Sequence, residues 1–174
     1  KPAAAPQARA NFSTLVPVSE VTGPWQVRFD PTWGGPEKPV VFDSLADWTL
    51  HPEAGVKYFS GTAVYSRKFD VSADVSGDRL ALDLGTVRHL ARVKINGRDL
   101  GVVWTAPWRV EVPEGLLKPG ANELVIEVTN VWANRLIGDK QPADANARTV
   151  ERPAGLLGVE PIKTGRHTFT THDP

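Results

Sequence analysis

Apolar residues in this chain recur mostly at every second position, in short bursts separated by turn residues. Trp25, Val27 and Phe29 alternate with Gln26 and Arg28 behind a Gly23-Pro24 entry, and Val40-Val41-Phe42 is a brief apolar run. From Tyr58 to Val71, the residues Phe59, Gly61, Ala63, Tyr65, Phe69 and Val71 share one face, with Arg67 interrupting it. Arg79 to Leu84 turns Leu80, Leu82 and Leu84 inward. A period of two marks half-buried strands, because successive side chains of an extended chain point to opposite faces. Ala91–Ile95 and Asp99–Val103 flank Asn96-Gly97-Arg98. Asn-Gly there predicts a hairpin, since both central residues of a type I′ turn need positive φ. Trp108–Val112 ends at Pro113, and Glu123–Thr129 puts Leu124, Ile126 and Val128 on one face.

About seven or eight such strands, with turn signals between them, predict an all-β fold, an antiparallel β-sandwich. No stretch has the spacing of an amphipathic helix, and Ser44–Trp48 reads as one helical turn or an irregular link. Residues 1–22 read as a linker or edge segment with one edge strand at Thr14–Val18. Residues 23–163 read as the sandwich, closed by a last strand within Ala154–Ile162, and 164–174 as a tail.

Composition narrows the function classes. At 174 residues, a single domain buries roughly 70% of its unfolded surface and holds a core without staples. Twenty basic and twenty acidic residues cancel, so no net field recruits nucleic acid or an anionic membrane. There is no Cys, hence neither a disulfide nor a thiolate metal site. No apolar run is long enough for a helical membrane span. The chain has no Met, and the start Lys1-Pro2-Ala3-Ala4-Ala5-Pro6 leads to the expectation of a piece of a longer polypeptide.

Glycoside hydrolysis needs two carboxylates facing each other across the scissile bond. Here Asp78, Asp99 and Glu114 sit at turns and Asp83, Glu111 and Glu127 on outward strand positions, which reads as solvated sheet-face charge. His51, His89, His167 and His172 are scattered rather than set at ligand spacing. No cofactor is expected; sandwiches accommodate a structural calcium ion, but no Asp-rich loop points to one. Sugar recognition, by contrast, uses flat aromatic faces against pyranose C–H surfaces, with amides, guanidinium groups and carboxylates for the hydroxyls. Trp33, Trp104, Trp108 and Trp132, with Asn134, Arg135 and Asp139, are of that kind. The competing reading of each tryptophan is packing, assigned outright to Trp25 and Trp48; that of Arg135 and Asp139 is an ion pair holding their loop.

Several segments carry a resemblance. Tyr58-Phe59-Ser60-Gly61-Thr62-Ala63-Val64-Tyr65, Leu82-Asp83-Leu84-Gly85, Val93-Lys94-Ile95-Asn96-Gly97 and Pro119-Gly120-Ala121-Asn122-Glu123-Leu124 resemble the sugar-binding jelly-roll domain of glycoside hydrolase family 2, one of the galactose-binding-like sandwiches. Gly101-Val102-Val103-Trp104-Thr105-Ala106-Pro107, the run Thr129 to Asp139 and Gly155-Leu156-Leu157-Gly158 resemble the C-terminal sandwich of family 106 α-L-rhamnosidases. The resemblance implies a jelly-roll domain without its own catalysis, cut from a secreted or periplasmic enzyme whose separate (β/α)₈ barrel holds the catalytic carboxylates. It implies carbohydrate as partner, rhamnose-containing glycans first, with Asn134, Arg135 and Asp139 as either an inter-domain clasp or part of the sugar site; residue type adds Trp104, Trp108 and Trp132 as the binding faces. The alternative it leaves open is a structural module that packs on the barrel and binds no sugar itself.

Overall fold

The computed structural model describes residues 15–73 and 79–139. Eight strands form two antiparallel sheets: β1 (Trp25–Arg28), β2 (Val40–Phe42), β3 (Thr62–Val71), β4 (Leu80–Asp83), β5 (Leu90–Ile95), β6 (Arg98–Val103), β7 (Arg109–Val112) and β8 (Gly120–Thr129). The larger sheet runs β2-β1-β3-β8-β5-β6 and the smaller pairs β4 with β7. Its spine is the ten-residue pairing of β3 with β8, from Thr62↔Thr129 to Val71↔Gly120. This is the antiparallel β-sandwich the alternation predicts.

The local chemistry follows the pattern. Asn96 and Gly97 take φ of 50° and 79°, as the Asn-Gly turn between β5 and β6 demands. One face of the large sheet buries Trp25, Val27, Phe29, Ala63, Tyr65, Val93, Ile95 and Leu124, and β7 contributes Val110 and Val112. The aromatic part packs edge to face, Phe29 standing 5.1 Å from Phe59 and 5.3 Å from Trp48. Trp48 Nε1 donates to the Tyr65 hydroxyl, so the buried indole keeps its hydrogen bond. Each such aromatic contributes about 1.5–3 kcal/mol through burial alone. Arg67 interrupts the apolar face without breaking it. Its guanidinium lies 5.8 Å from the Trp25 ring centre, against Gly23, and donates to the Pro24 carbonyl.

Several boundaries move. The long strand begins at Thr62 rather than Tyr58, because Ala54–Lys57 forms a helical turn, α1, that delivers Val56 and Phe59 to the core. Of the two readings of Ser44–Trp48, the irregular link holds for Ser44–Asp47, and a 3₁₀ turn capped by Asp47 follows at Trp48–Leu50. Leu15–Val18 forms no strand; Thr14 and the expected strand within Ala154–Ile162 lie outside the described residues. The main correction is a helix, α2 (Ala133–Asp139), where no helix was expected. The outward carboxylates behave as solvated charge: Asp83 pairs with Arg109, Glu111 with Arg79, and Glu127 with Lys94.

Candidate functional site

The register of the large sheet fixes which loops meet. Thr62, Thr129 and Leu90 lie level at one end, and Val103 is paired with Ala91 beside them. Arg28 is paired with Val64, so β1 also leaves the sheet at that end. Hence the loops after β1, β6 and β8 and the loop before β5 gather at one rim. They bring Trp33, Trp104, Trp132 and the pair Arg88-His89 to a single edge of the molecule.

The loop after β8 is held by half-buried hydrogen bonds. Asn130 Nδ2 donates to the Phe59 carbonyl at 2.8 Å, and Asn130 Oδ1 accepts from Gly61 N at 2.9 Å. The hydroxyl of Ser60, only 9% exposed, donates to the Val131 carbonyl and accepts the Arg135 amide at 3.0 Å. Gly61 sits at φ +147° with the Phe59 ring 3.2 Å from where a Cβ would stand, so a side chain there would displace the bracket. Ser60 and Asn130 therefore start α2 in one orientation. From α2 the Arg135 guanidinium reaches the Trp33 carbonyl at 3.4 Å.

The six candidates separate on this frame. Trp104 is 71% exposed and Trp132 79% exposed. Trp108 is half-buried and packs against the core, although its neighbours Thr105–Pro107 are exposed. Asn134 and Arg135 are half-buried on α2; Asp139 is the last residue of α2, and its side chain lies outside the described residues. Trp33, 49% exposed, joins Trp104 and Trp132 at the rim. Among the described residues, no aromatic pair includes any of these three rings. Arg88 and His89 are exposed at the start of β5, between the ends of β6 and β8. Their place at the rim follows from strand order, a non-local property that no local motif signals. An open depression lined by Pro36–Val40 and Glu53 contains none of the candidates.

Among the described residues, the carboxylates whose titration is shifted are all lowered. Asp83, beside the rim, is held below the ordinary carboxylate range by the hydrogen bond from Arg109 and then by the Gly85 amide. Asp99 and Asp47 are lowered in the same way, by Arg92 and by Thr49 respectively. All three are thus stabilised as permanent anions rather than tuned as proton donors. No group of three or more His, Asp or Glu among the described residues converges on a metal-sized site. What the rim offers is planar apolar surface with a guanidinium, an amide and an imidazole beside it.

The chain is thus an antiparallel β-sandwich with several loops of its large sheet collected at one rim. Residues 47–157 match the family described as the glycosyl hydrolase 2 galactose-binding domain-like domain, and the chain belongs to that family. It is 44% identical over 127 residues to a protein of Formosa agariphila provisionally named a β-glucuronidase, a match covering 71% of this chain and 11% of that protein. Among solved structures it is similar to the rhamnosidase of Novosphingobium sp. PP1Y, with a TM-score of 0.68, 36% identity, and coverage of 86% of this chain and 15% of that one. The β-glucuronidase of Ruminococcus gnavus shares the fold, at a TM-score of 0.54 and 21% identity over 67% of this chain and 23% of its own. The chain therefore spans under a quarter of the length of each.

Proposed function

We propose that this chain is the non-catalytic carbohydrate-binding domain of a multi-domain, rhamnosidase-type glycoside hydrolase. It takes rhamnose-containing or related glycans on its tryptophan-bearing rim, with Trp104 and Trp132 as stacking faces and Asn134, Arg135 and Asp139 as hydroxyl partners. Trp108 supports the loop from below. The observation that carries this reading is the contrast among the indoles: Trp25 and Trp48 are buried, whereas Trp104 and Trp132 are largely bare at one rim. Exposed aromatic faces next to planar polar groups are what a pyranose requires. The choice of a rhamnosidase parent rests on the resemblance carried by Gly101–Pro107 and Thr129–Asp139, since the chain is 36% identical to a rhamnosidase and 44% identical to a protein named as a β-glucuronidase. Isothermal titration of the chain with rhamnose, rhamnose-containing oligosaccharides and a polysaccharide panel tests it. Saturable heat, strongly weakened by Trp132→Ala, is expected; no heat at millimolar ligand across the panel rejects it.

A second reading rests on a different observation. Val131, Leu136 and Ile137 are exposed aliphatic residues next to Trp132, and contiguous apolar surface of this kind often marks a protein contact. The rim would then pack on the catalytic (β/α)₈ barrel of the same polypeptide. Under that reading Trp132 is protected in the full-length enzyme from an indole-modifying reagent that reaches it in the isolated domain. Equal labelling in both forms removes it.

A further inference from the structure

The three exposed indoles leave the large sheet at evenly spaced strands. In the order β1-β3-β8-β5-β6, Trp33 follows β1, Trp132 follows β8 and Trp104 follows β6, so each is two strand positions from the next. Neighbouring strands lie ~4.8 Å apart, which sets the three departure points ~10 Å from one another along the rim. That interval is close to the length of one disaccharide in an extended glycan. Between the outer two departure points, polar groups are interleaved: Arg88 and His89 before β5, and Arg135 tying α2 to the Trp33 loop. A single-sugar site needs one stacking face enclosed by polar groups, and a row of separate faces with no ring–ring contacts among them lacks that enclosure.

We infer that the rim is a linear platform for an extended oligosaccharide with a disaccharide repeat, with Trp104, Trp132 and Trp33 stacking on every second sugar. The inference deepens the carbohydrate-binding reading and rests on it. It adds Trp33 as a binding residue and assigns the ligand class as a chain rather than a chain end or a monosaccharide. The bonds made by Ser60 and Asn130 fix the backbone on both sides of Trp132 without a ligand, which lowers the ordering cost of binding at the central position.

The test is titration calorimetry of this chain, and of its Trp33→Ala and Trp132→Ala variants, with two length series. The probes are cello-oligosaccharides and alternating rhamnose–galacturonic acid oligomers, from the disaccharide to the octasaccharide, with circular dichroism as the check on folding. Affinity is expected to climb with length until the ligand spans all three indoles, then level off. Trp33→Ala is expected to weaken octasaccharide binding about tenfold, the size of one ring contact, and disaccharide binding by much less. Trp132→Ala, at the centre, is expected to weaken every length. A disaccharide bound as tightly as the octasaccharide, or a Trp33→Ala variant with unchanged octasaccharide affinity, overturns the platform and leaves the sugar-binding reading standing. No heat with any member of either series, nor with the wider panel, overturns both and returns the rim to a domain contact.

Discussion

The two ends of the large sheet use the same chemistry to opposite effect. At the far end, Asn122 (2% exposed) donates to the Lys118 and Gly120 carbonyls and accepts from Lys118 N, while Asn96 Nδ2 bridges to the Leu116 carbonyl and to Asn122. At the rim, Asn130 and Ser60 perform the same service for the Phe59–Gly61 segment and α2. Both ends are thus fixed by buried or half-buried amides and a hydroxyl that replace missing strand pairing. They differ in what is left outside. The far end closes on itself, with Leu116 and Leu117 packed against the core, whereas the rim leaves three indoles and several aliphatic residues in solvent. Rigid scaffolding at both ends, with exposed indoles among the described residues at only one, separates a turn from a site.

The comparison is most easily broken at the far end. Asn122→Ala strips the Lys118 and Gly120 carbonyls and two amide donors of their partner, and each unsatisfied buried group costs about 1–3 kcal/mol. A total of about 3 kcal/mol corresponds to a fall of ~6–12 °C in thermal midpoint for a chain of this size, measured by calorimetry, with rim chemistry unchanged. Ser60→Ala is expected to cost about 1–2 kcal/mol and, unlike Asn122→Ala, to shift the fluorescence of the rim tryptophans because α2 loses its anchor. Ser60→Thr, which keeps the hydroxyl, should restore the signal. Trp132→Ala is expected to change stability by less than about 0.5 kcal/mol, since a 79% exposed side chain has little to lose. A large loss in a denaturant titration would place that indole in the core.

The smallest effect is that of pH. Asp83, Asp47 and Asp99 are all lowered in the folded state, chiefly by Arg109, Thr49 and Arg92. A lowered folded pKa means the native state binds fewer protons, so the stabilisation is complete above the ordinary carboxylate pKa and is lost as pH falls through the folded value. All three groups are largely solvated, so the loss is small. Thermal midpoints should hold constant from neutrality to about pH 5 and decline below it. A decline on the alkaline side of neutrality instead would contradict these assignments.

The strands were readable because alternation in Trp25–Phe29, Ala91–Ile95 and Glu123–Thr129 is a local property, and so was the Asn96-Gly97 turn. The helix at Ala133–Asp139 was not. Its seven residues place Leu136 and Ile137 outward rather than on a buried stripe, so the signal that reports amphipathic helices is absent. It is held instead by Ser60, seventy-five residues away from Arg135. The rim was half readable. Trp33, Trp104 and Trp132 stood out by residue type, while Arg88 and His89 join them only through strand order. Trp108 has the right chemistry but faces the core, a distinction set by the strand β7 that begins one residue later.

The hydrogen bonds at Asn96 also govern how the protein ages. Asparagine followed by glycine is prone to lose ammonia, because the unhindered glycine nitrogen attacks the side-chain carbonyl carbon and closes a succinimide. At Asn96 both side-chain heteroatoms are engaged, Nδ2 with Leu116 and Asn122 and Oδ1 with the Glu123 amide at 2.9 Å, so that carbon is not free to swing toward Gly97. The folded domain is expected to keep residue 96 as asparagine through prolonged warm storage, while the urea-unfolded chain converts it to aspartate and isoaspartate. Peptide mass spectrometry over time measures both, and Asn122→Ala, which removes one anchor, should move the folded lifetime toward the unfolded one.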